Sequence, residues 1–412
     1  MRETMVSDYS HHPEVQETLN FPSELYIVDS TIRSLQSGVS GSCHTAKDLI
    51  EIGVALDGLG VRELIVNLSW RDGFAVCSGL AAEGLQAKIV GTFRAQHPSA
   101  PTWALDGLAA GADEICFESA SDSEHLKRLA EPLRSREHDI SHAFAEAYTY
   151  QEVIDLCRQG TALQLQSQNF HDSFFRFGIT PEGIKFFYRS VLTDVPLCPP
   201  LYVHLSNFYG NAVMTAVAAL AAGATAPDVC MNGVGHHCGH ISLAEVTMAL
   251  EALYDVRTRI RLENLRETSR LVQELSGINL PLPSPVAGDF AFMTDGAYWA
   301  AEAHLPYEER IHAKFPIPPG MVGNREEVVW SDGTITPESI KAKLAVMGFS
   351  EQEINSLVID RIIEKLGAEL RLSSSYPYWI LDADFERFCR RTLADVTREV
   401  TDESVSSSSK RA

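Results

Sequence analysis

The chain has 412 residues, 45% of them hydrophobic and 22% charged, with 18 Phe, 12 Tyr and 5 Trp, which is material for one large core plus an appendage. Its 34 Lys and Arg against 55 Asp and Glu leave a net charge of −21, a field that repels polyanions, so nucleic acid is excluded as a partner class. The longest apolar runs, such as 212–224, fall short of the ~20 residues of a membrane helix, and the opening MRETMVSDYSHHPE has no apolar stretch of the secretory kind.

The expectation is therefore a cytoplasmic protein with no membrane partner, whose eight scattered cysteines, in no CxxC pair, stay reduced. Residues 1–20 are polar and patternless and read as a disordered tail. Short β-rich runs then alternate with helical stretches: LYIVDST (25–31), ELIVNLSW (63–70), AKIVGTF (87–93), EICFESAS (114–121), DISHAFAEA (139–147), TALQLQSQ (161–168), LYVHLSN (201–207) and VCMNGVG (229–235). The segments between them, AKDLIEIGVALDGLG for example, carry helical periodicity and often stop at Gly. Eight alternations predict an α/β fold of parallel strands with right-handed crossovers, closing into a (β/α)8 TIM barrel over 21–280 in preference to an open doubly wound sheet. Such a barrel puts its chemistry on the rim where strands end.

Past LPLPSPVAGDF the pattern changes in kind. Residues 281–400 read as a smaller, mostly helical C-terminal extension, with Thr336 as an N-cap, Pro337 at a first helical position and Gly348 as a stop. The Ser-rich stretch 401–412 reads as a second disordered tail.

Three strand ends carry candidate chemistry. The first delivers Asp29 and, one turn on, Arg33. A carboxylate at the mouth of a barrel needs a cation, and either Arg33 or a metal would serve. The seventh places His204 and Ser206 on one face by strand alternation. The eighth opens into NGVGHHCGH, with His236, His237 and His240 on a Gly-rich turn. Asp29, His204 and one loop histidine make a carboxylate plus two imidazoles, a set suited to zinc, manganese or iron. The same set describes the facial triad of a non-haem iron enzyme, and a barrel that binds a small acid without turnover is a third possibility.

Those residues also carry a resemblance. LYIVDSTIRS resembles the D-x-T-L-R-D signature of the DRE-TIM metallolyase superfamily; VHLSNFYGNAV resembles its V-H-x-H-N-D-x-G-x-A-V strand; and NGVGHHCGHISLAEVTMAL resembles its N-G-x-G-E-R-x-G-N-x-x-L-E-E-V-x-M-A-L. GDFAFMTDGAYWAAEAHLPYEERIHAKFPIPPGMVGNREEVV is similar to the start of the extension in the Claisen-condensing branch, which includes isopropylmalate, homocitrate and citramalate synthases. The motifs run in order over roughly residues 24 to 370. The likeness implies a divalent metal (Zn, Mn, Mg or Fe) that binds a 2-oxo acid and polarises its carbonyl for attack by an acyl-CoA enolate. In lyases and aldolases of the same kind, a 2-hydroxy or 2-oxo acid is cleaved instead. It also implies a homodimer in which the extension reaches a neighbour's site.

Carried over residue by residue, the likeness makes Asp29 and His204 metal ligands, with Ser206 where the second family histidine stands and His240 where the family has Asn, so that Asp29, His204 and His240 would form a rearranged triad. Arg33 matches the arginine that stabilises the substrate oxygen. Ser173, after Asp172, matches the hydroxyl that binds the oxo-acid carboxylate. Ser34 and Gln36 stand where the family has an acid and a Glu, and Gln36, Asn207, His236 and His237 are expected around the substrate. The family's G-I-H base has no histidine here: the motif falls on Gly296-Ala297-Tyr298 or, with a one-residue gap, on Trp299, and Tyr298, or His304 nearby, is the candidate for proton transfer.

Overall fold

The computed structural model describes residues 5–38, 44–70, 72–146, 148–331, 333–372 and 379–409, without the side chains of 369–372, 397 and 399–409. Cys43 and the last three residues of the Ser-rich stretch lie outside the described residues; the other cysteines are free thiols.

Eight parallel strands close into a barrel: β1 (Val28–Asp29), β2 (Glu63–Asn67), β3 (Lys88–Arg94), β4 (Glu114–Glu118), β5 (Asp139–Phe144), β6 (Gln168–His171), β7 (Leu201–His204) and β8 (Ala226–Val229), with β1 paired to both β2 and β8. Helices return the chain between them, and their starts are written in the sequence. Thr45 with Asp48, and Thr149 with Glu152, form reciprocal capping boxes that satisfy the first free N–H groups of Ala46–Leu59 and Tyr150–Leu163. Gly60 ends the first of these at φ 102°, a left-handed geometry that side-chain-bearing residues resist.

The eight strands are those expected, with two shifts. The helix Tyr150–Leu163, driven by its capping box, absorbs the start of the sixth run, so β6 begins only at Gln168. The eighth strand lies at Ala226–Val229, ahead of the expected 229–235, because VCMNG leaves the sheet for a tight turn after Val229. Both shifts change which residues reach the rim.

Strand alternation sorts side chains into two layers. Ile27, Leu64, Phe93, Phe117, Phe144, Phe170, Val203 and Val229 face the helices and form the main core. Val28, Val90, Cys116, Ala143, Tyr202 and Ala226 fill the lumen, with Ile65 against them. At the lower, N-terminal end the lumen holds buried carboxylates: Tyr202 donates to Glu63 Oε1 at 2.9 Å, and Lys88 lies 3.7 Å from Glu114 and 2.9 Å from Asp139. Burial, with the neighbouring Glu114, pushes the Glu63 carboxyl up to about 8. The folded chain then holds a proton that the unfolded chain releases near ~4.3, so stability falls as pH rises between the two values, by at most about 1.4 kcal/mol per pH unit. Thermal melting from pH 5 to 9 should show that decline, and Glu63→Gln should flatten it.

The extension adds a three-stranded sheet to the expected helices: β9 (Met293–Asp295), β10 (Glu327–Ser331) and β11 (Trp379–Leu381), in the order β11-β10-β9. It has its own core, where Trp330 stacks on Phe385 at 4.0 Å and the helices Pro337–Val346, Ser356–Leu372 and Asp382–Ser409 pack around them. Thr336 caps Pro337–Val346 through Ser339, and Gly348 follows at φ 89°. Asp382–Ser409 carries the helix through most of the Ser-rich end. No helix of the described residues is long and apolar enough to cross a membrane.

Candidate active site

The upper rim encloses a polar cavity of about 260 Å³ lined by Arg33, Asn67, Trp70, Arg94, Glu118, His171, Asp172, Ser173, His204, His236, His237 and His240, among others. Every strand but one supplies its last residue or the loop just after it, as a (β/α)8 architecture dictates.

Arg33 sits on the short helix Thr31–Gln36 that follows β1. Its Nε and Nη2 donate to Glu118 Oε1 at 3.2 and 3.0 Å, and Thr92 Oγ1 donates to the same oxygen at 2.9 Å. Burial opposes the charge on Arg33, but Glu118 and Asp228 outweigh it and keep the guanidinium charged. With Arg33 15% and Glu118 6% exposed, the cation is fixed rather than floppy.

Across the lumen His204 and His171 stand side by side, because β6 and β7 pair in that register and inward-facing partners share a face. Their rings lie 4.9 Å apart, and His240 lies 4.3 Å beyond His204. Behind His204 is Asp228, fully buried, with Oδ2 3.3 Å from His204 Nδ1; the same carboxylate accepts Ser30 Oγ at 2.6 Å and Asn169 Nδ2 at 2.7 Å. Burial alone would raise the Asp228 carboxyl, yet His204 holds it well below the usual range. Burial alone would likewise lower His204, and Asp228 reverses the direction. His171 and His240 have no such carboxylate; burial first, then Arg33 and His204, depress both, so they stay neutral.

His204, His240, Arg33, Ser173, His236 and His237 all line the cavity. Ser173 Oγ donates to Ala145 O at 2.7 Å. His237 forms the lip, with the rings of Phe177 and Phe208 5.7 and 5.2 Å away. His240 Nδ1 is turned to Ser34 Oγ at 3.4 Å and Cys230 Sγ at 3.6 Å, and its ring covers Gly235, where any Cβ would collide with it.

Other expected residues are placed elsewhere. Gln36 clamps the backbone of Asn67, accepting from its N–H at 2.9 Å and donating to its carbonyl at 3.3 Å, a bracing role. Asn207 accepts from Ala212 N at 3.2 Å and anchors the helix Ala212–Leu220. Tyr298 and His304 are exposed on the extension and do not line the cavity of their own chain.

Asp29 is the largest departure. It pairs in register with Leu64 and Val229, which face the helices, whereas Val28 pairs with Glu63 and Asp228, which face the lumen. Asp29 therefore points out of the lumen. Its Oδ1 accepts Thr31 N at 2.7 Å and starts the helix that carries Arg33, while burial pushes its carboxyl up to about 7.

These positions decide whether the implied divalent metal fits. Oδ2 of Asp29 is buried without a hydrogen-bond partner, but it lies outside the cavity lining. Ser206 Oγ donates to Asp172. Among the described residues no three His, Cys, Asp or Glu side chains are gathered closely enough to hold an ion. The Asp29, His204 and His240 triad expected from the sequence is not assembled, and the residues present do not fit a family-type cation site.

Four lining or supporting residues escaped the sequence reading: His171, Glu118, Arg94 and Asp228. The signal for Asp228 was present, an acid two positions from Ala226 in an otherwise apolar parallel strand.

Comparisons with known proteins bear on the chemistry of this rim. Residues 178–272 match the HMGL-like family. The chain is 31% identical over 369 residues to the homocitrate synthase of Methanopyrus kandleri, covering 85% of this chain and 89% of that protein. It is 28% identical over 382 residues to the 2-isopropylmalate synthase of Methanocaldococcus jannaschii, covering 85% and 69%. Among solved structures, the HMG-CoA lyase of Bacillus subtilis superposes with a TM-score of 0.54 at 17% identity over 64% of this chain and 97% of that one, a likeness of fold. The chain is an enzyme and belongs to the Claisen-condensing branch of the DRE-TIM metallolyase superfamily, the branch of the homocitrate, isopropylmalate and citramalate synthases.

Proposed function

We propose that the enzyme condenses an acyl-CoA with a 2-oxo acid in the rim cavity. The observation that carries this reading is the pairing of a fixed cation, Arg33 on Glu118, with an imidazole backed by a buried carboxylate, His204 on Asp228, in the walls of one cavity. Condensation needs both. A base must take a proton from the carbon next to the thioester, and a cation must meet the charge that moves onto the carbonyl oxygen when that carbon attacks.

His204 is the base in this reading. Its Nδ1 faces Asp228, so Nε2 is the atom left for the substrate, and Asp228 stabilises the imidazolium formed by proton uptake. The enolate carbon then bonds to the oxo carbon, and Arg33 holds the new alkoxide until the imidazolium returns its proton. Water afterwards cleaves the thioester and releases the CoA thiol. A divalent ion, which would polarise the same carbonyl, has no part in the proposal, because the donors that would hold it are turned outward or committed elsewhere. The reaction is read by incubating the protein with acyl-CoAs and a panel of 2-oxo acids. Thiol release that requires an oxo acid supports it; silence with every pair contradicts it.

Tyr298 and His304, exposed and outside their own chain's cavity lining, suit a homodimer in which the extension covers a partner's rim. Sedimentation equilibrium should then give twice the mass of the chain, and a single-chain mass removes both residues from the chemistry.

A further inference from the structure

We infer that His171 is the base that activates water for cleavage of the thioester, the second half of the condensing reaction. The inference rests on the condensing reading and adds a catalytic residue to it.

His204 and Arg33 divide the carbon–carbon step between them and leave His171 without a part in it. Yet His171, the last residue of β6, lines the cavity with 6% of its surface exposed. Among the described residues neither of its ring nitrogens meets a hydrogen-bond partner, and neither is sealed from solvent. A buried imidazole left this bare is costly unless something polar comes to it. The other histidines of the wall differ. His204 is held by Asp228, His240 turns Nδ1 to Ser34 and Cys230, and His236 and His237 are exposed at the lip.

The place of His171 suits the thioester. The thioester carbon is one bond from the carbon that His204 deprotonates, and the His171 ring stands 4.9 Å from the His204 ring. Once the new bond has formed, His204 Nε2 faces the hydroxyl to which it returned its proton, so a second base must serve the thioester carbon. Burial, with Arg33 and His204 nearby, keeps His171 neutral, which leaves one nitrogen with a lone pair to accept a proton. The oxygen of water bonds to the thioester carbon while a proton of that water passes to His171. The carbon–sulfur bond of the tetrahedral adduct then breaks, and sulfur leaves with the electron pair and takes the proton from His171 as the CoA thiol. The carboxylic acid so formed releases its remaining proton to solvent, and His171 is neutral again. The positive groups that keep His171 neutral also make its imidazolium a ready donor to sulfur.

The test separates the two halves of the reaction. The whole chain and its His171→Gln and His171→Ala variants are incubated with an acyl-CoA and a 2-oxo acid that the unaltered chain turns over, and the hydroxyacyl-CoA and free hydroxy acid are both followed by mass. Each variant should form the hydroxyacyl-CoA within about threefold of the unaltered rate and release thiol about a hundredfold more slowly, so that the thioester accumulates. Imidazole added to His171→Ala should restore part of the thiol release, and His240→Asn should keep the unaltered ratio of thioester to free acid. A His171 that only supports the fold would slow both halves together. An unaltered ratio in both His171 variants, or thioester that accumulates in His240→Asn instead, overturns the inference and leaves the condensing reading standing. An unaltered chain that forms neither thioester nor free acid removes the condensing reading, and the role of His171 with it.

Discussion

Arg33→Gln is expected to lower kcat by about a hundred- to a thousandfold with a much smaller change in KM, because a fixed cation acts most strongly on the charge that develops as the carbonyl is attacked. The single variant carries a second effect. Glu118, 6% exposed, loses its charged partner and keeps only Thr92 Oγ1, and removing one half of a buried pair costs about 3–5 kcal/mol of stability. The double variant Arg33→Gln with Glu118→Gln separates the two: it should recover much of the lost melting temperature and none of the lost activity. Activity that returns with the fold would show that Arg33 is a structural ion pair and nothing more.

Asp228→Asn carries the second large effect. Asp228 raises the proton affinity of His204 across 3.3 Å, and the base form of His204 is the reactive one, so activity rises with pH through the imidazole's titration. Without the carboxylate the imidazole gives up its proton more easily. The acid limb of the kcat–pH profile should therefore move to lower pH, while kcat on the plateau falls by about a hundredfold or more as the imidazolium loses its stabilising charge. A purely structural Asp228 would lower the melting temperature and leave the position of that limb unchanged. Ser30 and Asn169, which donate to Asp228 at 2.6 and 2.7 Å, hold the carboxylate where it faces His204; Asn169→Ala should move the limb in the same direction by less.

The barrel was legible because hydrophobic runs, glycine stops and capping residues repeat at the spacing of a βα unit, and each signal is local. Thr336 with Pro337 marked a helix start that the fold keeps. The rim was legible in outline for the same reason: Arg33, His204, His240, Ser173, His236 and His237 all reach the cavity.

What failed was register. A shift of one residue turns a strand side chain to the opposite face, and β1 is only two residues long, so nothing in its own sequence says that Val28 rather than Asp29 faces the lumen; pairing with Glu63 and Asp228 decides it. His171 was missed because the sixth strand starts later than its apolar run suggests, and Asp228 because the eighth starts earlier. Gln36 and Ser206 look like ligands in one dimension and are drawn by non-local partners, the backbone of Asn67 and the carboxylate of Asp172, into supporting the loops.

The most direct measurement is product formation by protein stripped of metal. Chelator-treated chain, shown by elemental analysis to hold no stoichiometric metal, is mixed with acetyl-CoA and the 2-oxo acid it binds best, and the hydroxy acid product is followed by mass together with released thiol. The arrangement of Arg33, Glu118, His204 and Asp228 predicts that product appears at the rate of untreated protein and that Arg33→Gln with Glu118→Gln abolishes it. Product that appears only when zinc, manganese or magnesium is restored, or none under any condition, would contradict condensation by the chain's own side chains.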